Sequence, residues 1–148
     1  MKLMFICTGN ICRSAMAHVM LEEQTKKMNK KIKIYSCGVY AEEGVRSTEQ
    51  AIKVMKEYNI DLTRHRATHI RKSDIENMDL ILCATTAHKN HVTSLYPKLK
   101  DRVYTMKEYA GYSKNDLDIK DPWGYNLETY KRCAEEINEC LKKIMEKI

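Results

Sequence analysis

The chain has 148 residues, 43% hydrophobic and 31% charged, with five glycines and two prolines. That composition excludes disordered, collagen-like and low-complexity chains and predicts one packed domain over residues 1–148. The formal charge of +6 favours anionic ligands such as phosphate esters, but Lys and Arg are scattered among acids without a recognition motif, which argues against nucleic acid.

No apolar run approaches the ~20 residues of a membrane span, and the opening Leu3–Cys7 run is too short for a signal peptide. No membrane association is therefore expected, and the cytoplasm is the expected compartment. Six cysteines, Cys7, Cys12, Cys37, Cys83, Cys133 and Cys140, show no Cys-x2-Cys pairing, which fits reduced thiols and no bound metal.

In chain order, Leu3 to Cys7 closes at Thr8-Gly9-Asn10 and predicts a buried strand feeding a turn. Ser14 is the expected cap of the next helix, whose apolar face holds Ala15, Met16, Ala17, Val19, Met20 and Leu21. Ile32 to Ser36 is a second strand, ended by Gly38. Thr48 to Tyr58 carries Ala51, Ile52, Met55 and Tyr58 at helical spacing, with Ser47 as cap. Leu80 to Cys83 is a third strand, His88 to Leu95 a short helix that Pro97 stops, and Val103 to Met106 a fourth strand. Tyr109 to Gly124 lacks periodicity and predicts a long functional loop. After the cap Asn126, the stripe Leu127, Tyr130, Ala134, Ile137, Leu141, Ile144 and Ile148 predicts a helix whose apolar side faces the core.

Strands alternating with helices imply an α/β fold: a central four-stranded parallel twisted sheet with helices on both faces and right-handed crossovers. Ligands in such folds bind at the carboxyl ends of the strands. Cys7 ends the first strand, so the chemistry is expected there.

The segment Cys7-Thr8-Gly9-Asn10-Ile11-Cys12-Arg13-Ser14 joins that strand to a helix and predicts a phosphate-binding loop. Its backbone N–H groups form an anion site at a helix N-terminus, with Gly9 as the residue expected to supply φ > 0. Arg13 can fold back to grip two phosphate oxygens with its planar fork. The amides, Arg13 and the Ser14 hydroxyl favour the Cys7 thiolate, the form that attacks phosphorus. The same donors then hold the transferring oxygens.

This string resembles the signature loop of the low-molecular-weight protein tyrosine phosphatases, where Cys-x5-Arg-Ser follows the first strand. Ser36-Cys37-Gly38, Asp61-Leu62 with His65-Arg66-Ala67, and Asp79 to Leu82 extend the similarity through nearly the whole chain. The resemblance implies a phosphocysteine intermediate, no cofactor, and a general acid/base from a late Asp-Pro pair, here Asp121-Pro122-Trp123-Gly124. Asp116 and Asp118 lack the following proline and are assigned to a solvated loop. Trp123 is either a pocket wall or core. Tyr40 resembles the aromatic residue across the cleft, or caps the sheet. His65 and Arg66 are read as loop tethers. Some family members carry a second cysteine at position 12, so a reversible Cys7–Cys12 disulfide would protect the nucleophile.

The expected activity is hydrolysis of phosphotyrosine in phosphoproteins by a monomer or weak homodimer. The chain also resembles the bacterial protein arginine phosphatases through Thr105-Met106-Lys107-Glu108-Tyr109 and the compact Tyr40 loop. Ile11 offers an apolar wall to a phenyl ring and no acceptor to a guanidinium, which favours phosphotyrosine. An arsenate reductase needs two further relay cysteines, and Cys83 has none near it in sequence. A phosphoryl carrier needs neither Arg13 nor Asp121.

Overall fold

Strand β1 (Lys2–Cys7) is buried from Leu3 onward and is one of the two inner strands of the sheet. In the computed structural model, which describes residues 1–148, it pairs in parallel with β2 (Lys33–Gly38) on one side and β3 (Leu80–Cys83) on the other. β4 (Val103–Thr105) continues from β3, also parallel, giving the order β2-β1-β3-β4. The helices are α1 (Arg13–Lys27), α2 (Glu49–Glu57), α3 (Thr86–Leu95), α4 (Met106–Ala110) and α5 (Leu127–Met145).

The period-2 alternation of β1 divides the core. Leu3, Phe5 and Cys7 join a cluster of 28 buried residues with the apolar faces of α1, α2, α4 and α5. Met4 and Ile6 point the other way, into a cluster of 12 with Ile70, Ile75, Val92 of α3 and Leu99. Helices thus cover both faces, and the predicted stripe of α5 is buried at Tyr130, Ala134, Ile137, Leu141 and Ile144.

The boundaries differ where side chains find partners other than the expected ones. Ser14 lies inside α1, and Cys12 occupies the N-cap without a side-chain bond, because the Ser14 hydroxyl faces Cys7. Thr48, not Ser47, caps α2 by accepting from Ala51 N. α3 starts two residues before the expected His88, with Thr85 as its cap. β4 ends at Thr105, which with Glu108 closes a capping box and turns Met106–Ala110 into α4. The long loop therefore begins only at Gly111, whose φ of 93° ends α4 in the left-handed conformation that glycine adopts freely.

Candidate active site

Cys7 is 3% exposed at the carboxyl end of β1, and its Sγ lies 2.9 Å from Ser14 Oγ. Asn10 Nδ2 donates to the same Ser14 oxygen at 2.8 Å, leaving the serine's own proton for the sulfur. The other end of the Asn10 amide accepts from Thr68 N at 2.9 Å, and the Asn10 carbonyl accepts from His65 Nε2 at 2.8 Å. Burial pushes the His65 imidazole below its usual range. His18 stacks edge-on against it at 6.1 Å and is bonded through Nδ1 to Ser36 Oγ at 2.8 Å.

The left-handed turn of the loop falls at Asn10, φ 57°, and not at Gly9. A Cβ at Gly9 would meet only Ile11, at an ordinary 3.4 Å. The crowded glycine is Gly38 at the end of β2, where a Cβ would stand 2.4 Å from the Thr8 carbonyl and 2.9 Å from Asn10 N. β2 and the loop are also stitched by Val39 N to Cys7 O and Tyr40 N to Thr8 O.

Arg13 has a nearly buried side chain whose Nη1 donates to the Ile119 carbonyl at 2.9 Å. Its Nη2 stands 3.6 Å from Asp121 Oδ2. Its Nε is buried and meets no acceptor in the protein. Asp121 is half exposed and accepts from Trp123 N at 3.1 Å, in an Asx turn just after the Arg13 tether.

The segment before Asp121 is fastened at several points. Ile119 is fully buried and its N–H donates to the Ala84 carbonyl just past β3. Asp118 accepts from Thr86 N, the first residue of α3, at 2.7 Å. Asp116 pairs at 2.6 Å with Lys107, which also reaches Glu136 of α5 at 2.8 Å. Both acids depart from the solvated role the sequence predicts for them: each holds the loop.

Trp123 and Tyr40 are 63% and 71% exposed, so neither is a core residue. The Tyr40 ring packs edge-on against His91 at 5.4 Å. Ile11 is half-buried against the larger core cluster. Cys12 lies 3.3 Å from the Tyr130 hydroxyl and 3.7 Å from that of Thr48, and burial pushes its thiol up to about 11. All six cysteines are free and buried. Burial drives Cys83 far above its usual range, which suits no thiol relay. No helix is long and apolar enough to cross a membrane.

A family model described as low molecular weight phosphotyrosine protein phosphatase matches residues 2–148. The chain belongs to that family. Among relatives of this phosphatase, the protein-arginine-phosphatase of Geobacillus stearothermophilus is 33% identical over 99% of this chain and 95% of its own. The crystal structure of a low molecular weight protein tyrosine phosphatase from T. tengcongensis superposes with a TM-score of 0.94 at 39% identity, covering 100% of this chain and 99% of that one. An arginine phosphatase carrying a phosphorylated active-site serine in place of cysteine superposes at 0.92 with 29% identity, over 99% and 95% of the two chains.

Sequence reasoning missed Asn10 as the turn residue, Gly38 as the point of close approach, and Asp118 and Lys107 as loop anchors. Only Lys107 carried a local signal, the Thr105-x-x-Glu108 capping box that places it on a helix.

Proposed function

We propose that this phosphatase hydrolyses phosphotyrosine in protein substrates. Cys7 Sγ attacks phosphorus as the bond to the phenolic oxygen breaks, and Asp121 delivers its proton to that oxygen. Asp121, now a carboxylate, takes a proton from water as the water oxygen attacks phosphocysteine. Inorganic phosphate leaves and the Cys7 sulfur is restored. Backbone donors of Thr8 to Ser14 and the Arg13 guanidinium hold the equatorial oxygens throughout.

The observation that carries this reading is the Arg13 guanidinium, nearly buried with Nε unpaired. A buried donor without an acceptor is costly, by about 1–3 kcal/mol, and an oxyanion above Cys7 supplies the acceptor. Turnover of p-nitrophenyl phosphate, lost in Cys7→Ser, tests it; undiminished turnover in that variant would refute it.

Ile11, Tyr40 and Trp123 supply apolar and aromatic walls suited to a phenyl ring. A second reading, phosphoarginine as substrate, draws support from the arginine phosphatase relative. Wild type and Ile11→Thr compared on phosphotyrosine and phosphoarginine peptides separate the two: the substitution is expected to shift the ratio toward phosphoarginine, and an unchanged ratio removes Ile11 as the discriminator.

The six free cysteines fit a reducing compartment, the cytoplasm in this proposal. Within it Cys12 is the resolving thiol for an oxidised Cys7, and peroxide treatment is expected to yield a Cys7–Cys12 disulfide by mass spectrometry. Stable sulfinic acid on Cys7 instead would exclude that role.

A further inference from the structure

His88 is 6% exposed on α3 and takes no part in the reaction described above. Its Nε2 lies 2.8 Å from Thr8 Oγ1 and its Nδ1 lies 2.8 Å from Thr85 Oγ1. The ring therefore bridges the cap of α3 and the residue that follows the nucleophile.

Which nitrogen carries the proton follows from where each hydroxyl proton can go. Thr85 Oγ1 already accepts the His88 backbone N–H at 3.2 Å, and Nδ1 is the one protein acceptor paired with its own hydroxyl. With Thr85 donating to Nδ1, the ring proton sits on Nε2 and Thr8 Oγ1 accepts it. Thr8 is an exposed residue. With a lone pair of its oxygen taken from the α3 side, its own proton is left free for another acceptor. The opposite tautomer would bind that proton to the ring and leave only lone pairs facing an incoming dianion.

The arrangement needs a ring with a single proton. Burial, and then the Arg13 charge, push His88 down to about 4; Asp121 and Asp118 oppose this and His91 adds to it. The neutral ring is thus the form present near neutral pH.

We propose that His88 is a positioning residue that presents the Thr8 hydroxyl as a hydrogen-bond donor to the phosphoester bound over Cys7. The proposal rests on the phosphatase reading of the loop and adds to it a second side-chain donor beside Arg13.

Two measurements test it. Imidazole 15N NMR of the wild-type protein at pH 7 is expected to show His88 protonated at Nε2 and bare at Nδ1; the reverse would overturn the proposal whatever the turnover. On p-nitrophenyl phosphate, Thr8→Val is expected to lower kcat/KM roughly tenfold or more, as for a lost bond to a charged group, and Thr8→Ser to restore most of it. The double variant Thr8→Val/His88→Leu is expected to match Thr8→Val alone, because the ring acts only through the hydroxyl. Wild-type kcat/KM in Thr8→Val, or independent losses in the double variant, would overturn the proposal while an active wild type leaves the phosphatase assignment standing. An inactive wild type with the expected tautomer would remove the substrate-directed role together with that assignment.

Discussion

The Arg13 guanidinium and the Asp121 carboxylate stand 3.6 Å apart, Nη2 to Oδ2, one side chain 5% exposed and the other 50%. The pair joins the Cys7–Ser14 loop to the loop that carries Asp121, the proposed proton donor. The same Arg13 reaches the Ile119 carbonyl through Nη1, two residues before Asp121, so a single guanidinium ties Asp121 to the Cys7–Ser14 loop.

Asp121→Asn is expected to keep the Asx turn to Trp123, since the amide oxygen accepts as the carboxylate does. It removes the transferable proton. Phosphoenzyme formation from a phosphotyrosine peptide, followed by stopped flow, is expected to slow by about 10²–10⁴-fold. An unimpaired variant would reassign the acid.

Gly38→Ala and Gly9→Ala give opposite expectations. At Gly38 the added methyl meets rigid backbone, 2.4 Å from the Thr8 carbonyl and 2.9 Å from Asn10 N, so the loop must move. Both thermal stability and turnover are expected to fall, with turnover down at least about tenfold, because angstrom-scale misplacement is costly in a catalytic cradle. Gly9→Ala faces only an ordinary van der Waals contact and is expected to retain its melting temperature.

Acid sensitivity follows from His88. Its folded value of about 4 lies below the ordinary 6.5, so the unfolded chain binds more protons in between. Stability is complete above about pH 6.5 and is lost as pH falls toward 4, by about 3 kcal/mol from this group. His65, also pushed down by burial, acts in the same direction. Urea unfolding of wild type and His88→Gln at pH 7 and pH 4.5 checks this: the variant is expected to show a shallower pH dependence, and an equal slope would exclude His88 as its source.

Lys107→Met removes the cation shared by Asp116 and Glu136. Both carboxylates are partly exposed and can rehydrate, so the fold is expected to survive with a modest loss of stability. The segment ahead of Asp121 loses one of its fastenings. Amide exchange across residues 116–121 is expected to quicken, and kcat to fall more than the affinity for inorganic phosphate. Unchanged exchange there would remove Lys107 from any role in positioning the acid.

The strands β1 and β3 were legible because a buried strand in a parallel sheet must be apolar throughout. Cys7, Arg13 and Asp121 stand out in the sequence because the roles proposed for them, nucleophile, grip and acid, need those residue types in that loop context. What local pattern could not reveal is partnership at a distance. Asn10 takes the left-handed turn expected of Gly9 because its amide is bonded at both ends, to Ser14 and to Thr68. Gly38 ends β2 as expected, but its need to be small arises from a loop lying across from it. Asp118 reads as a solvated acid in the sequence, and only the fold brings the Thr86 amide to it. α4 was legible in principle: its Thr105–Glu108 capping box is local, but five residues between a strand and a loop carry little periodicity.

Arg13 is shared between two tasks, and the sharing is reciprocal. Any anion that steadies the guanidinium steadies the Ile119 carbonyl bonded to it, and linkage requires an ordered Ile119 to strengthen the anion's hold in return. Occupying the cradle with vanadate should thus slow hydrogen–deuterium exchange from Ile119 to Asp121, the segment that the guanidinium contacts at both ends. On the proposed mechanism, the arrival of the charge would itself ready the group that serves it.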